Sequence, residues 1–263
     1  MSPEDDQFWE LRESAAASPG LHPTGLVLPP LVEEFFTHES APPEMMDSLW
    51  AAGWRHFGAQ FYRYSLHAPE GGVRLVQPLR VVIDRFQASA SQRRILRRNA
   101  DLDVRFEPPR LDDERRALFA KHSQRFTENI PPSLEAFLGN APGKVPGAMI
   151  EVSARLAGRL AAVSFLDLGR EGASSVYAIY DPAFARRSLG IATMLWELDH
   201  ARRQGCRYYY PGYAYHTPSG MDYKKQFAGT EWFDWRGHWL PLIQQAQSPR
   251  QDPDAPAPRN SER

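Results

Sequence analysis

The sequence predicts an α+β fold in two parts: a small N-terminal lobe, then a larger domain built on a mixed sheet. Three observations carry that expectation. From Ala148 extended runs replace helical patterning, with Met149 to Arg155, Arg159 to Leu168 and Ser174 to Tyr180 all apolar-rich and bounded by turn residues. A helix pattern follows from Leu189 to Gln204, where Ile191, Met194, Leu195, Leu198 and Ala201 form one apolar stripe and Gly205 is a stop. An aromatic strand, Cys206 to Tyr210, completes a β-β-β-α-β order.

Upstream the elements are shorter. Residues 1–20 are acidic and Ala/Ser-rich, weakly ordered, with a short amphipathic stretch around Phe8-Trp9-Leu11. Residues 21–105 read as the N-terminal lobe, punctuated by Pro29-Pro30 and Pro42-Pro43. It holds a helix through Glu44 to Ala52, an aromatic strand from Phe57 to Leu66, and strands Val73 to Val76 and Leu79 to Asp84 flanking Gln77-Pro78; a basic helix ends it. Residues 106–245 form the larger domain, opening with a helix over 111–126 and a short one from Ser133 to Leu138. Ala157-Gly158 joins its first two strands as a hairpin, and Trp232, Phe233 and Trp235 close its sheet. The proline-rich, charged residues 246–263 are expected to be disordered.

Composition narrows the function. The chain has 263 residues, 42% of them apolar, enough for one large core or two modest ones. A net charge of -1 and a pI of about 6.7 give no global attraction for nucleic acid, so such affinity must come from local clustering. The single cysteine, Cys206, excludes a disulfide framework and any multi-cysteine metal site and points to a reducing compartment. No apolar run approaches a membrane span, and Met1-Ser2-Pro3-Glu4-Asp5-Asp6 is acidic where a signal peptide is basic; a cytoplasmic protein without membrane contact is expected. His56, His67, His122 and His216 contain no i,i+4 pair, so no metal is expected.

Two segments carry chemistry. In SQRRILRRN, Ser91 to Asn99, the lead-in Ser89-Ala90-Ser91-Gln92 reads as a capping box and Asn99 as a stop. Arg93 with Arg97, and Arg94 with Arg98, are like-charged at i,i+4, each pair costing a few tenths of a kcal/mol, about 0.2 to 0.5. No acidic residue lies between Arg85 and Ala100. The helix is either a phosphate-binding face or a solvated face with acidic partners from elsewhere. Ile95 and Leu96 need a buried side, so Arg94 or Arg98 is expected to include a structural ion pair. In RRSLGIA, Arg187-x-x-Gly190-x-Ala192 fits the (Q/R)xxGx(G/A) pattern with which GNAT-type N-acyltransferases hold acyl-CoA pyrophosphate on a helix N-terminus. The alternative is an ordinary turn capped by Ser188.

With both in place the chain resembles the aminoacyl-tRNA-protein transferases: the eukaryotic arginyl-transferases and the bacterial aspartate/glutamate leucyltransferases. Gly53-Trp54-Arg55 and Phe61-Tyr62-Arg63 look like the GFR...YR motif, and FQASASQRRILRRNADL, Phe86 to Leu102, like FxxSRSQRRxxxRNxDL. Ser174-Ser175-Val176-Tyr177, Tyr180-Asp181-Pro182 and Ser188-Leu189-Gly190 resemble SSVYxxYDP...SLG. Tyr210-Pro211-Gly212-Tyr213 and Met221-Asp222-Tyr223-Lys224-Lys225-Gln226-Phe227 resemble YLGY and KMxYKxxF. The likeness spans about residues 44–240 and implies a GNAT-like catalytic domain. It also departs from the pattern. The cysteine motif that usually follows the YR segment is absent from Tyr64 to Gly72, and Ala90, Pro211 and Gly220 replace a motif Arg, Leu and Lys. A divergent, metal-free branch is expected.

The resemblance implies attack by an acceptor protein's α-amino group on the ester joining arginine or leucine to tRNA, marking acceptors that start with Asp or Glu for N-end rule degradation. Such an ester is already activated, so orientation, an oxyanion donor and a proton route suffice, with aminoacyl-tRNA as co-substrate and no cofactor. Arg93, Arg94, Arg97 and Arg98 would bind tRNA phosphates; Arg187, Ser188 and Gly190 would hold the terminal adenosine; Lys224 would serve phosphate or substrate. Amides near Ala178-Ile179-Tyr180 would polarise the ester, Tyr180 or Asp181 relay the proton, and Arg55 and Arg63 read an acidic acceptor. Tyr208-Tyr209-Tyr210 would stack a base or pack in a core. A monomer is expected. The alternatives are an acyl-CoA-dependent GNAT N-acyltransferase and a non-catalytic RNA-binding relative.

Overall fold

The computed structural model describes residues 29–68, 72–126 and 132–242; the expectations for residues 1–20 and for the tail lie outside them. The chain forms β1 (Glu33–Thr37), α1 (Pro43–Ala51), β2 (Arg55–Phe57), β3 (Gln60–Tyr64), β4 (Leu66–His67), β5 (Arg74–Val82), α2 (Ala90–Arg98), β6 (Asp103–Glu107), α3 (Asp113–Ser123), α4 (Glu135–Leu138), β7 (Met149–Leu156), β8 (Arg159–Leu168), β9 (Gly172–Tyr180), α5 (Leu189–Arg203), β10 (Tyr208–Tyr215), β11 (Thr230–Phe233) and β12 (Trp239–Pro241). Short 3-10 turns span Ile83–Arg85, Pro182–Arg187 and Asp222–Gln226.

A mixed sheet runs in the order β12-β11-β5-β10-β9-β8-β7-β6, with β4 beside β5. Both faces are covered. On one, α5 buries Met194, Leu195, Leu198 and Ala201 against Val81, Leu166, Ala173 and Tyr209, and Leu189 against Ala154, Ala161 and Ala162. On the other, Leu118, Phe119, Phe137 and Leu138 of α3 and α4 meet Val163, Phe165 and Ile179. Two-sided burial explains why Leu160 to Leu166 reads as a continuous apolar run interrupted only by Ser164.

The expected β-β-β-α-β order is present, and its decisive detail is where the last strand departs. β10 runs parallel to β9 only from Tyr208 to Tyr210, opposite Gly172 to Ser174. An irregularity between Tyr209 and Gly212, with Gly212 at φ +94°, then turns β10 away to follow β5. The sheet therefore opens between β9 and β10.

The expected division at residue 105 is not a physical boundary. Residues 33–64 make the small lobe, a β1-β3-β2 antiparallel sheet with α1, whereas β5 lies inside the large sheet between β10 and β11. Val76, Leu79 and Val81 are at most 2% exposed: Val81 is buried with the α5 residues, and Val76 lies between Tyr213, Phe233 and Trp235 of the large domain and Tyr62 and Tyr64 of the small lobe. The expected break at Gln77-Pro78 is also absent. Val76 donates its N–H to Ser65 and Leu75 accepts from His216, so alternation turns Pro78 away from β10, into the gap between β4 and β11, where no N–H is needed. The aromatic run at 57–66 instead folds back at Gly58, φ +52°, into a hairpin. Asp47 of α1 fastens the lobe down by accepting the N–H groups of Arg170, Glu171 and Gly172 at 2.8, 2.8 and 2.9 Å.

Candidate functional site

The basic helix α2 begins as its sequence dictates. Gln92 N–H donates to Ser89 Oγ at 3.2 Å while Ser89 N–H donates to Gln92 Oε1 at 2.8 Å, a complete capping box. Gln92, Ile95, Leu96 and Asn99 take the inward positions, so Arg93, Arg94, Arg97 and Arg98 all face solvent. The structural ion pair expected of Arg94 or Arg98 is absent among the described residues: the inward side is filled without an arginine. Arg93 donates to the Ala88 carbonyl and Arg98 to the Arg186 carbonyl, at 2.6 Å for Arg98, leaving all four charges unneutralised by any carboxylate among the described residues.

The C-terminal end of α2 is clasped to the turn before α5. Asn99 donates to the Arg187 carbonyl at 2.9 Å, and Arg187 pairs bidentately with Asp101 at 2.7 and 2.9 Å. The Arg187 hydrogen bond holds the Asp101 carboxyl below its usual range. Arg187 is therefore a strut, and its expected contact with the terminal adenosine requires that strut to break. Ser188 adopts a left-handed conformation, φ +55°, and caps nothing with its side chain. The Ile191 and Ala192 amides of α5 donate to the Ser188 carbonyl at 3.0 Å, so the anion-favouring end of this 15-residue helix rests on the Leu189 and Gly190 amides. Gly190 faces the Tyr180 ring, which a Cβ there would meet at 3.6 Å.

Tyr180 ends β9. Arg125 lies 4.4 Å over its ring, and His122 stands edge-on at 4.9 Å. Burial pulls the His122 imidazole down to about 4, so at neutral pH its unprotonated Nδ1 accepts the Tyr180 N–H at 3.1 Å. That amide, expected to polarise an ester, is thus occupied. Asp181 donates its N–H to Ala161 at 2.9 Å, so ladder alternation turns the Ala178 amide toward the opening as well. The Asp181 carboxylate accepts from Ala183 N–H at 2.9 Å and pairs with Arg159 at 2.5 Å and Lys121 at 3.6 Å. Burial alone would raise it, but the Ala183 amide and the two cations outweigh that and hold it low. It caps a turn, and its expected part in the proton relay is withdrawn.

Inside the opening is a cluster that joins the expected Arg55 and Lys224 to a residue no sequence expectation named, Glu197. Arg55, on β2, crosses from the small lobe to donate to Ser174 Oγ and to the Ser175 carbonyl on β9. Lys224, expected to serve phosphate or substrate, turns inward and donates to the Tyr213 carbonyl at 3.2 Å. Desolvation and the Arg55 charge draw the Lys224 ammonium down to about 8, against the pull of Glu197. Glu197 is fully buried on α5; its Oε2 accepts the Tyr209 hydroxyl at 2.6 Å and its Oε1 has no partner among the described residues. Burial raises its carboxyl to about 7, opposed by the hydroxyls of Tyr209, Ser164 and Ser175 and by Arg55. One signal in the sequence could have found it: a carboxylate between Met194 and Leu198 on the apolar side of an amphipathic helix.

Arg63 joins no such site. It pairs with Glu34 at 2.7 Å, donates to the Ala52 carbonyl at 3.0 Å and covers Trp54 at 4.8 Å, so its expected acceptor contact is replaced by bonds inside the lobe. Tyr209 and Tyr210 are buried, and Tyr208 lies under Arg80 at 4.2 Å; the triplet packs in the core. His56 is buried against Asp167 at 2.5 Å. Among the described residues no group of three or more His, Cys, Asp and Glu is placed to hold a metal ion, and no helix is long and apolar enough to cross a membrane.

Comparison with known proteins places these features. The family profile described as arginine-tRNA-protein transferase, C terminus, matches residues 114–234. The aspartate/glutamate leucyltransferase of Marinobacter nauticus is 30% identical over 200 residues, 74% of this chain and 81% of that protein. Its namesake in Pseudomonas putida is 35% identical over 200 residues, 72% of this chain and 82% of that protein. Among solved structures, FemX superimposes with a TM-score of 0.46 at 11% identity, over 72% of this chain and 66% of that one.

Proposed function

Because the chain belongs to the family of the arginine-tRNA-protein and aspartate/glutamate leucyltransferases, and is an aminoacyltransferase, we propose that it moves an amino acid from charged tRNA onto an acceptor protein's N-terminal amine, marking that protein for N-end rule degradation. The observation that carries the reading is α2: four exposed arginines without a carboxylate partner, joined through Asn99 and Arg98 to the turn that leads into the β9-β10 opening. Phosphates on that face repay the like-charge repulsion, and the tRNA 3' end then runs along the Gly190 turn. The ester carbonyl lies against the Ala178 amide. The acceptor amine attacks it, the carbonyl carbon to ribose oxygen bond breaks, and the ribose oxygen takes up the proton that the amine loses. An α-amino group titrates near pH 8, so water or the Tyr180 hydroxyl suffices as the route.

The acyl-CoA alternative loses its basic residue, since Arg187 is committed to Asp101, and it gives α2 no task. A peptide beginning with Asp, offered radiolabelled arginyl-tRNA, leucyl-tRNA and acetyl-CoA in parallel, tests the choice. Label arrives from tRNA alone if the proposal holds. Transfer from acetyl-CoA, or tRNA binding without transfer, overturns it.

A further inference from the structure

We propose that the groove between α2 and α5 takes one unpaired nucleobase of the tRNA acceptor end, the base just ahead of the CCA tail, stacked on Trp196. The proposal rests on the transferase reading and adds a base-binding site beside its phosphate-binding helix.

The groove holds about 530 Å³, with an apolar wall made by Leu96 of α2, Leu195 and Trp196 of α5, and Phe86 from the segment that leads into α2. Trp196 is half-buried: it packs on the cluster of Leu102, Ala154 and Leu189 and gives its remaining surface to the groove. Its indole has no stacking ring, guanidinium or hydrogen-bond partner among the described residues. A large aromatic ring on the outer side of a helix, lining a recess, is the kind of surface that marks a binding site.

The charge around the groove selects the occupant. Arg93 lines it from α2 and Arg202 from α5, and neither has a carboxylate partner among the described residues. Arg93 spends one nitrogen on the Ala88 carbonyl, and Arg202 spends one on the carbonyls of Ile83 and Phe86 at 3.1 Å, so both keep donors to spare. Asp199, also lining the groove, pairs with Arg203 and keeps lone pairs. A nucleotide matches all of this at once: its π-face suits Trp196, its phosphate suits Arg93 and Arg97, and its edge carries donors and acceptors for Asp199 and Arg202. An apolar protein helix would leave the cations unanswered.

Reach agrees. The two helices run antiparallel, with Asn99 beside Arg187 and Arg93 across from Arg202, so phosphates that follow α2 away from the opening carry their bases past the groove. At about 1.5 Å of rise per residue, Trp196 to Arg202 lies about 9 to 18 Å along α5 from Gly190. Stacked nucleotides advance about 3.4 Å each, so with the terminal adenosine at the Gly190 turn the base ahead of CCA arrives about 10 Å away.

The affinity of uncharged tRNA, intact or with that one base removed to leave an abasic site, tests the groove. Wild type is expected to bind the intact tRNA about five- to a hundredfold more tightly, the range of one base stacked on an aromatic ring. Trp196→Leu binds the intact tRNA as it binds the abasic one, with the slope of log Kd against log salt unchanged because the phosphate contacts of α2 remain. Trp196→Phe keeps part of the preference. Should wild type bind both tRNAs alike, the groove is wrong whatever the folding of the variants, and full preference in Trp196→Leu would overturn it as well. Self-association of the wild-type chain in sedimentation, lost in Trp196→Leu, would assign the groove to a second copy instead. Binding is read without any amino acid on the tRNA: equal binding with transfer intact sinks the groove alone, and full preference without transfer sinks the transferase reading alone.

Discussion

At the scale of single residues, the buried Glu197 makes the sharpest claim. Its carboxyl is raised to about 7 from an ordinary 4.5, with burial as the leading cause. The folded chain thus binds a proton that the unfolded chain has released. The stabilisation this represents is complete below about pH 4.5 and lost as pH rises through 7, an effect of order 3 kcal/mol at most. Denaturant titrations from pH 5 to 8 are expected to show the decline, and Glu197→Gln, which keeps an acceptor for the Tyr209 hydroxyl, removes that slope. A second claim concerns the buried pair of Arg115 and Glu151, where each group lies at most 1% exposed. Glu151→Ala removes the buried partner of that guanidinium, leaving it Asp112 at 2.8 Å and Glu114 at 3.5 Å, and costs about 3 kcal/mol in chemical denaturation, the low end for a broken buried pair. Sequence named the cationic residues of the site by their motifs but not their partners: that Arg187 meets Asp101 and Arg63 meets Glu34 depends on neighbours 86 and 29 positions away. The inward direction of Lys224 is not legible for a related reason: a short turn of mixed charge has no periodicity from which to read direction.

At the scale of elements, local grammar was legible wherever it is local. The capping box of α2, its Asn99 stop, the apolar stripe of α5 and the Ala157-Gly158 hairpin all stand where residue spacing puts them. The strand β6 had a signal that went unread, since Asp103 to Glu107 alternates polar and apolar over its five residues before pairing with β7. The four arginines escaped the expected ion pair because Gln92 and Asn99, polar yet buried, fill the inward face with Ile95 and Leu96. Two outcomes follow for this helix. Ser89→Ala lowers stability by about 1 kcal/mol through loss of the cap. Arg97→Ala leaves the melting temperature within a degree or two, yet reduces the dependence of log KM for aminoacyl-tRNA on log salt by about 0.7 to 0.9, the share of one phosphate contact. An unaltered salt slope would return α2 to an ordinary solvated surface.

At the scale of the whole molecule, the two parts are more entangled than composition shows. β5 precedes the basic helix in the chain yet sits in the middle of the large sheet, a long-range pairing that no window of residues contains. The small lobe is held by Asp47 on one side and by Arg55 on the other, so it is fixed to the strand that frames the opening. Asp47→Ala is expected to raise hydrogen exchange in residues 169–173 and α1 while leaving β7 and β8 protected. The account as a whole is tested most directly by the intact mass of an Asp-starting peptide after incubation with the protein and charged tRNA at low salt. It predicts a gain of one amino-acid residue, located at the α-amine by fragmentation and abolished when the tRNA is deacylated beforehand. An unchanged mass under conditions where charged tRNA binds, or a gain on a lysine side chain, would contradict it.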